Sequence, residues 1–370
     1  MSDASKPAAA RVPLRTSNAP IELLLRDFRP EATVRLVEHH PQAFPLPAFD
    51  AHNHLGRWHT DGWAVADVPA FVSMLDSVNV RGVVNLDGGW GDELEANLDR
   101  YDRAHPGRFA SFARVDWTET GSTGWGGRFA ASFADSARRG ASGLKLWKDI
   151  GLGTRDEQGE PLFLDDRRLS PLWQAVAASG VPVLVHVADP VAFFRPLDAS
   201  NERYEELSHH PDWHFHGPQF PSFERLIGSL ENAVADNPGV AFIGAHVGCY
   251  AEDLGWVDRM LSSYPNFHID ISARIAELGR QPRAARRLLL KHPTRVLMGT
   301  DIFPAQASDY RRYLRFLATD DECFPYSDDN PPGTGRWSIS ALDLPDEVLK
   351  LVTAENAVRL IPAFSAGVLP

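Results

Sequence analysis

The chain has 370 residues and a formal net charge of −12, with 44% hydrophobic and 23% charged residues. This is an ordinary globular composition, and the acidic balance argues against a surface for nucleic acid or an anionic membrane. Runs of about 18 apolar residues are absent from the sequence, so we expect no membrane span.

Residues 1–20 are polar, rich in Ala, Ser and Pro, and lack the apolar stretch of a secretory signal. We expect residues 1–47 to be an arm and a helical or extended lead-in, and residues 48–370 to be a single domain. The two cysteines, Cys249 and Cys323, form no C-x-x-C motif. They are predicted to be free thiols, and a cytoplasmic location is predicted.

From residue 48 the chain alternates short apolar runs with amphipathic segments. The runs are predicted strands at 44–49, 82–87, 108–116, 143–147, 181–187, 240–246, 267–271 and 295–301. The amphipathic segments are predicted helices at 68–77, 92–104, 165–179, 222–236, 253–263 and 284–290. Gly140 and Gly180 stand where helices should end.

Eight such strands over roughly 250 residues fit a (β/α)8 TIM barrel, an α/β fold. The rival is a doubly wound open sheet, but no G-x-G-x-x-G follows the first strand. Two connections, 189–221 and 302–343, are unusually long and follow strands 5 and 8. Their aromatic content favours ordered flaps over the barrel mouth. Alternatively, they cover apolar barrel surface or form the contact of a homo-oligomer.

Polar side chains stand at the carboxyl ends of these strands, which ring one opening in a closed barrel. His52 and His54 are two residues apart and therefore face the same side of the first strand. His186, His246 and Asp301 end strands five, six and eight. Packing alone explains this poorly, because each buried imidazole needs its own hydrogen-bond partner. The pattern therefore predicts a metal site.

Imidazole and carboxylate ligands suit Zn²⁺ best, and also Mn²⁺ or Fe²⁺. A metal with an open coordination position lowers the pKa of a bound water, and a nearby aspartate can take its proton.

Four motifs make the chain similar to the amidohydrolase superfamily over most of residues 48–362. They are Asp50-Ala51-His52-Asn53-His54, Gly244-Ala245-His246-Val247-Gly248, Gly299-Thr300-Asp301 and Asn356-Ala357-Val358-Arg359-Leu360. The last resembles the ending of the amidohydrolase-2 branch, which holds aminocarboxymuconate-semialdehyde and resorcylate decarboxylases and some lactonases. The resemblance implies His52, His54, His186 and Asp301 as ligands of one metal. It implies His246 as a second-metal ligand or a general acid/base.

Lys145 lies on strand four, and alternation with Leu144 and Leu146 points it into the barrel. Two-metal members of the superfamily bridge their ions with a carboxylated lysine from this strand. Lys145 is therefore either a carbamate bridge or a cation for a substrate carboxylate. Because the branch mostly uses one metal, we favour one ion and a substrate-binding Lys145.

Other residues are weaker candidates. Arg274 is predicted to bind a carboxylate, or else to pair with Glu277 or Asp270. Asp87 is predicted to orient a ligand histidine. Trp58, His59 and Trp147 are predicted to line the pocket. The histidines of the first flap, which are His209, His210, His214 and His216, are predicted to be solvated or packing residues.

The sequence thus predicts a metal-dependent hydrolase for a small ester, lactone or amide. Asp301 and His246 are the predicted catalytic residues, and the substrate is expected to carry a carboxylate. The alternative is a metal-dependent, non-oxidative decarboxylase of a small unsaturated or aromatic acid. A purely structural metal-binding barrel is disfavoured, because a closed structural site has no open ligand position and no use for flaps.

Overall fold

The computed structural model describes residues 22–24, 27, 28, 30 and 33–367. The predicted arm at 1–20 lies outside these residues. By contacts the chain divides into two units, residues 1–36 and 37–370. The predicted boundary between lead-in and barrel at 47/48 stays a prediction. No helix in the described part of the chain is long and apolar enough to cross a membrane.

Eight parallel strands follow one another in chain order around the sheet of unit 37–370. They are β1 Ala48–Asn53, β2 Val80–Gly89, β3 Phe109–Ala113, β4 Gly143–Leu146, β5 Val183–Val185, β6 Phe242–Gly244, β7 Phe267–Asp270 and β8 Val296–Leu297. Two backbone hydrogen bonds, Ala51 N to Met298 O (2.9 Å) and Asp301 N to His52 O (2.8 Å), join β1 to the end of β8. The predicted (β/α)8 barrel is confirmed.

Each strand is followed by a helix within residues 33–367. The helices are α1 Val68–Ser77, α2 Gly91–Asn97 (continued by a π-helical stretch, Leu98–Arg103), α3 Trp125–Arg139, α4 Ser170–Ser179, α5 Phe223–Asp236, α6 Leu254–Ser263, α7 Pro282–Lys291 and α8 Ala307–Ala318. Local chemistry sets their ends: the Asp67 side chain accepts from Ala70 N before α1, and Ser222 caps α5. Gly140 and Gly180 end α3 and α4 with positive φ, as predicted.

Two of these helices were not predicted. Gly126 and Gly127 obscured α3, although Trp125, Phe129 and Phe133 form a buried stripe at helical spacing. The eighth helix, α8, lies inside the segment 302–343 that was expected to be a long connection. Its start is a capping box between Gln306 and Asp309. The second flap proper is therefore residues 319–343.

The barrel interior and its outer layer contain different sets of side chains. Leu144 and Leu146 of β4 pack in the outer layer with residues of the helices. Alternate strand positions fill the interior, where they meet the C-terminal segment. There the ring centroids of Phe49 and Phe364 lie 4.8 Å apart. The C-terminal segment thus fills one end of the barrel, and the polar strand ends lie at the other.

Asn356 fixes this C-terminal segment to the barrel. Its buried Nδ2 donates to Pro293 O (2.8 Å) and Val296 O (2.7 Å). We expect Asn356→Ala to lower the free energy of unfolding by about 2 kcal/mol, because it leaves two carbonyls without their donor. Urea unfolding measures this. The control, Asn232→Ala, removes an exposed hydrogen bond to Asp165, and we expect it to change stability by under about 0.5 kcal/mol. Equal effects of the two variants would contradict the assignment.

Candidate metal centre

Three of the predicted ligands meet at the mouth of the barrel. His52 Nε2 lies 3.6 Å and His54 Nε2 lies 3.4 Å from Asp301 Oδ1. The three ligand atoms lie within 4.8 Å of one another. Close approach of the backbone is required here, since a Cβ on Gly299 would lie 2.8 Å from His52 Cβ.

The second ring nitrogen of each histidine is held by a buried carboxylate. His52 Nδ1 donates to Asp270 Oδ2 (2.8 Å), and His54 Nδ1 donates to Asp87 Oδ1 (2.6 Å). These bonds place the proton on Nδ1 and leave the Nε2 lone pairs facing Asp301. His52 Nε2 is buried and has no hydrogen-bond partner among the described residues. A buried imidazole nitrogen with an unpartnered lone pair fits a metal ligand. The hydrogen bond from His54 to Asp87 agrees with the prediction that Asp87 orients a ligand histidine.

Burial also sets the charge of the donor set. It lowers the pKa of His52 well below the usual range, helped by the nearby charge of Lys145, so this imidazole is neutral at pH 7. Burial raises the pKa of Asp301, and the charges of His54 and Lys145 oppose that rise. Neutral imidazoles and a carboxylate are the donors that Zn²⁺, Mn²⁺ and Fe²⁺ accept. The residues present therefore fit a divalent metal.

His246 faces the other oxygen of the same carboxylate. Its Nε2 lies 3.7 Å from Asp301 Oδ2, and its Nδ1 donates to Ser272 O (2.9 Å). Burial lowers the pKa of His246 well below the usual range. Both His246 and Asp301 have positive φ, 56° and 57°. Such backbone is uncommon outside glycine and concentrates at functional sites.

His186 lies beside this group but is oriented toward a different acid. Its ring centroid is 4.4 Å from that of His246, and its Nε2 is 3.3 Å from Asp189 Oδ1. Asp189 also forms an ion pair with Lys148. Burial lowers the pKa of His186 to about 4. Its role as a metal ligand stays a prediction. The sequence reasoning missed Asp189, although the spacing His186-x-x-Asp189 at a strand end was available as a signal.

Lys145 points into the barrel, as alternation predicted. It is 1% exposed, and its Nζ has no hydrogen-bond partner within the described part of the chain. Burial lowers its pKa to about 8, against the opposing charges of Asp301 and Asp270.

Two arginines near the barrel mouth, Arg203 of the first flap and the predicted substrate ligand Arg274, have other neighbours. Arg203 is buried and pairs with Glu206 (2.7 Å) and Glu277, so it fixes the first flap to the barrel. Arg274 is half-buried, and its Nη1 donates to Ala273 O (2.8 Å). The predicted substrate contact of Arg274 stays a prediction.

Aromatic side chains form a wall above His54. The Trp58 ring lies 4.6 Å from Trp147 and 4.2 Å from His59. His59 in turn lies 4.6 Å from His54 and 5.1 Å from Phe303, measured between ring centroids. The sequence reasoning had named Trp58, His59 and Trp147 and missed Phe303, which directly follows strand eight and its Asp301.

A cavity of about 590 Å³ lies between the two flaps and the mouth. Thr300 and Ala273 line it from the barrel, Trp213 from the first flap and Tyr326 from the second. Both flaps therefore reach the ends of β7 and β8 at the barrel mouth, and a cover over the metal ligands themselves stays a prediction.

The histidines of the first flap act as packing residues. His210 stacks on Trp213 with ring centroids 4.0 Å apart, and the rings of His209, His214 and His216 contact backbone oxygens. They belong to none of the potential metal-binding groups found among the described residues.

Residues 49–363 match the family model described as Amidohydrolase. A search among curated proteins found no match. Several solved structures share the fold. The chain is 15% identical to 2,6-dihydroxybenzoate decarboxylase from Rhizobium, with a TM-score of 0.54 over 85% of this chain and 98% of that one. It is 15% identical to 5-carboxyvanillate decarboxylase from Sphingomonas paucimobilis, with a TM-score of 0.51 over 86% and 99% of the chains. A dihydroxybenzoic acid decarboxylase from Polaromonas, with bound manganese and 2-nitroresorcinol, is 15% identical with a TM-score of 0.52 over 85% and 96%.

Proposed function

Because this chain belongs to the amidohydrolase family, we propose that it is a metal-dependent hydrolase of a small ester, lactone or amide that carries a carboxylate. One observation carries the proposal. Asp301 Oδ1 lies within 3.6 Å of the Nε2 atoms of both His52 and His54, and the buried Nε2 of His52 has no partner among the described residues.

We assign one divalent ion to His52, His54 and Asp301, with His186 as the fourth ligand that the family resemblance implies. Zn²⁺ is the proposed ion. Mn²⁺ and Fe²⁺ suit the same donors, and a structurally similar enzyme holds manganese. When bound, such an ion supplies Lewis-acid activation of a water and of a carbonyl oxygen. Lys145 then stays a free amine for the substrate and does not become a carbamate bridge.

The proton steps fall to two residues of this chain. Asp301 accepts the proton of the attacking water. His246 Nε2 lies 3.7 Å from Asp301 Oδ2 and, with the imidazole proton on Nδ1, carries a lone pair, so it can take up a proton as a general base and pass it to the leaving group. The flaps and the aromatic wall exclude bulk water from this region.

A decarboxylase is the second candidate. Two features favour it: Lys145, whose Nζ has no hydrogen-bond partner among the described residues and can hold a carboxylate, and the cluster of aromatic rings around Trp58 and Trp147, which suits an unsaturated or aromatic acid. In that reaction His246 Nε2 first takes up a proton from solvent and then transfers it to the carbon that loses CO₂, where the electrons of the broken C–C bond form the new C–H bond.

One screen distinguishes the two reactions. Purified holoprotein is given carboxylate-bearing esters, lactones and amides, and separately 2,6-dihydroxybenzoate and other aromatic acids. We expect proton release with the first set, abolished by a chelator and restored by Zn²⁺ or Mn²⁺. Release of CO₂ from the second set, without hydrolysis of the first, would replace the hydrolase by the decarboxylase. Turnover that survives complete metal removal would contradict both.

A further inference from the structure

Arg114 and Lys145 stand side by side on neighbouring strands. Phe112 pairs with Gly143 and Ala113 with Leu144, so the same register continues to Arg114 and Lys145. Phe112 packs in the barrel interior, whereas Leu144 packs in the outer layer. Because side chains alternate along a strand, Arg114 and Lys145 both face inward, on strands about 4.8 Å apart.

Neither cation has an anionic partner in contact. Arg114 is 9% exposed, and its guanidinium forms no hydrogen bond or ion pair within 33–367. The acids that face it, Asp149 and Asp87, lie beyond ion-pair distance, and Asp87 is bound to His54. Lys145 faces Asp301 and Asp270, and its Nζ is unpartnered. Two adjacent buried cations repel each other and lose hydration, so the folded protein gains free energy when an anion binds between them.

A chain of ring contacts connects these cations to the metal centre. The Arg114 guanidinium lies 3.3 Å from the centroid of the Trp58 ring. Trp58 contacts His59, which contacts His54. A small substrate that lies along these rings therefore extends from the metal ligands to Arg114.

The positive charge of Arg274, the arginine predicted from the sequence to bind a carboxylate, is already balanced by nearby acids. Burial lowers its pKa, but Glu277, Glu252 and Asp189 more than offset that effect. Arg274 thus already has carboxylates near it, which leaves Arg114 as the better anion acceptor.

We propose that Arg114 and Lys145 form the subsite that holds a carboxylate of the substrate. The guanidinium binds it in a planar, bidentate manner, and the ammonium adds a second charge-assisted hydrogen bond. The rings of Trp58 and Trp147 are perpendicular, so one packs on the face of the attached group and the other against its edge, and the substrate is a small, planar, unsaturated or aromatic acid. The proposal rests on the proposed function, because it takes the metal end of the wall as the reacting end.

Direct binding tests the subsite without turnover. The probes are isophthalate and its neutral analogue isophthalamide, added to holoprotein and followed by tryptophan fluorescence or calorimetry. We expect Arg114→Gln to raise the Kd of isophthalate by about tenfold or more and to change that of isophthalamide by less than about twofold. The control, Arg138→Gln, removes the same charge from an exposed helix surface and should leave both constants unchanged.

Three results would overturn the proposal: no saturable binding of isophthalate to the wild type, an unchanged Kd in Arg114→Gln, or equal weakening of both probes. Metal content, measured on the same samples, and turnover in the screen report on the proposed function. If the reaction class is wrong, the turnover screen fails, whereas if the subsite is wrong, the binding measurements fail.

A second variant, Asp149→Asn, tests the subsite even if Arg114→Gln does not fold. Asp149 faces Arg114, and its burial raises its pKa to about 6, so it is ionised at pH 8. Asp149→Asn removes this competing negative charge and should tighten isophthalate binding by about threefold at pH 8. The control is Asp99→Asn, an exposed acid paired with Arg103. Unchanged or weaker binding in Asp149→Asn would contradict the subsite.

Discussion

Replacing Asp301 with asparagine is expected to lower kcat by about a thousandfold, on whichever substrate the screen identifies. Asn keeps an oxygen near His52 and His54 but cannot accept a proton, so the base is lost while the side-chain volume is kept. Asp301 lies within 3.7 Å of His246 and of the two histidines that we propose as metal ligands, His52 and His54. Steady-state kinetics with measured metal content separates loss of the base from loss of the ion.

The matched control is Asp258→Asn, which alters an exposed acid paired with Lys291 and His292. It should leave kcat within about twofold, since it lies outside the barrel mouth. If Asp301→Asn kept more than a tenth of wild-type kcat with a full complement of metal, Asp301 would not be the base.

Replacing Asp270 with asparagine is expected to reduce metal affinity by about 100-fold. Asp270 Oδ1 accepts from His246 N (2.9 Å), Ser272 N (3.0 Å) and Ser272 Oγ (2.5 Å). These three donors will hold the amide oxygen of Asn at the same place. The amide NH₂ then faces His52 Nδ1 and forces the proton of His52 onto Nε2, the atom that we propose as the metal ligand.

Competition with a metal-binding indicator measures this affinity. The control is Asp102→Asn, a half-buried acid that accepts from Ser111 N (2.8 Å) and Ser111 Oγ (2.6 Å) away from the site. It should bind metal as the wild type does. Wild-type affinity in Asp270→Asn would mean that the tautomer of His52 is set by another group.

Much of the fold followed from the sequence, because the barrel repeats one pattern that periodicity detects. The inward direction of Lys145 followed from alternation alone. Helix α3 could not be predicted in this way, because its two glycines lower its helix propensity. The helix is stabilised instead by the packing of its buried stripe, Trp125, Phe129 and Phe133.

The site was predictable where it depends on strand ends and unpredictable where it depends on side-chain partners. His52, His54 and Asp301 meet because parallel strands end at one rim. Arg114 also lies at the end of a strand, but its lack of an anionic partner among the described residues is a tertiary fact that no spacing reveals. Likewise, no spacing reveals that His186 Nε2 lies 3.3 Å from Asp189 Oδ1 or that Asp189 pairs with Lys148.

The central claim is that His52, His54 and Asp301 hold one divalent ion. Elemental analysis of purified wild type and His52→Ala, normalised to protein concentration, tests it directly. We expect about one ion per chain in the wild type and less than about a tenth of that in His52→Ala, because removing one ligand from a small set sharply weakens binding. A His52→Ala protein with undiminished metal content would contradict the claim.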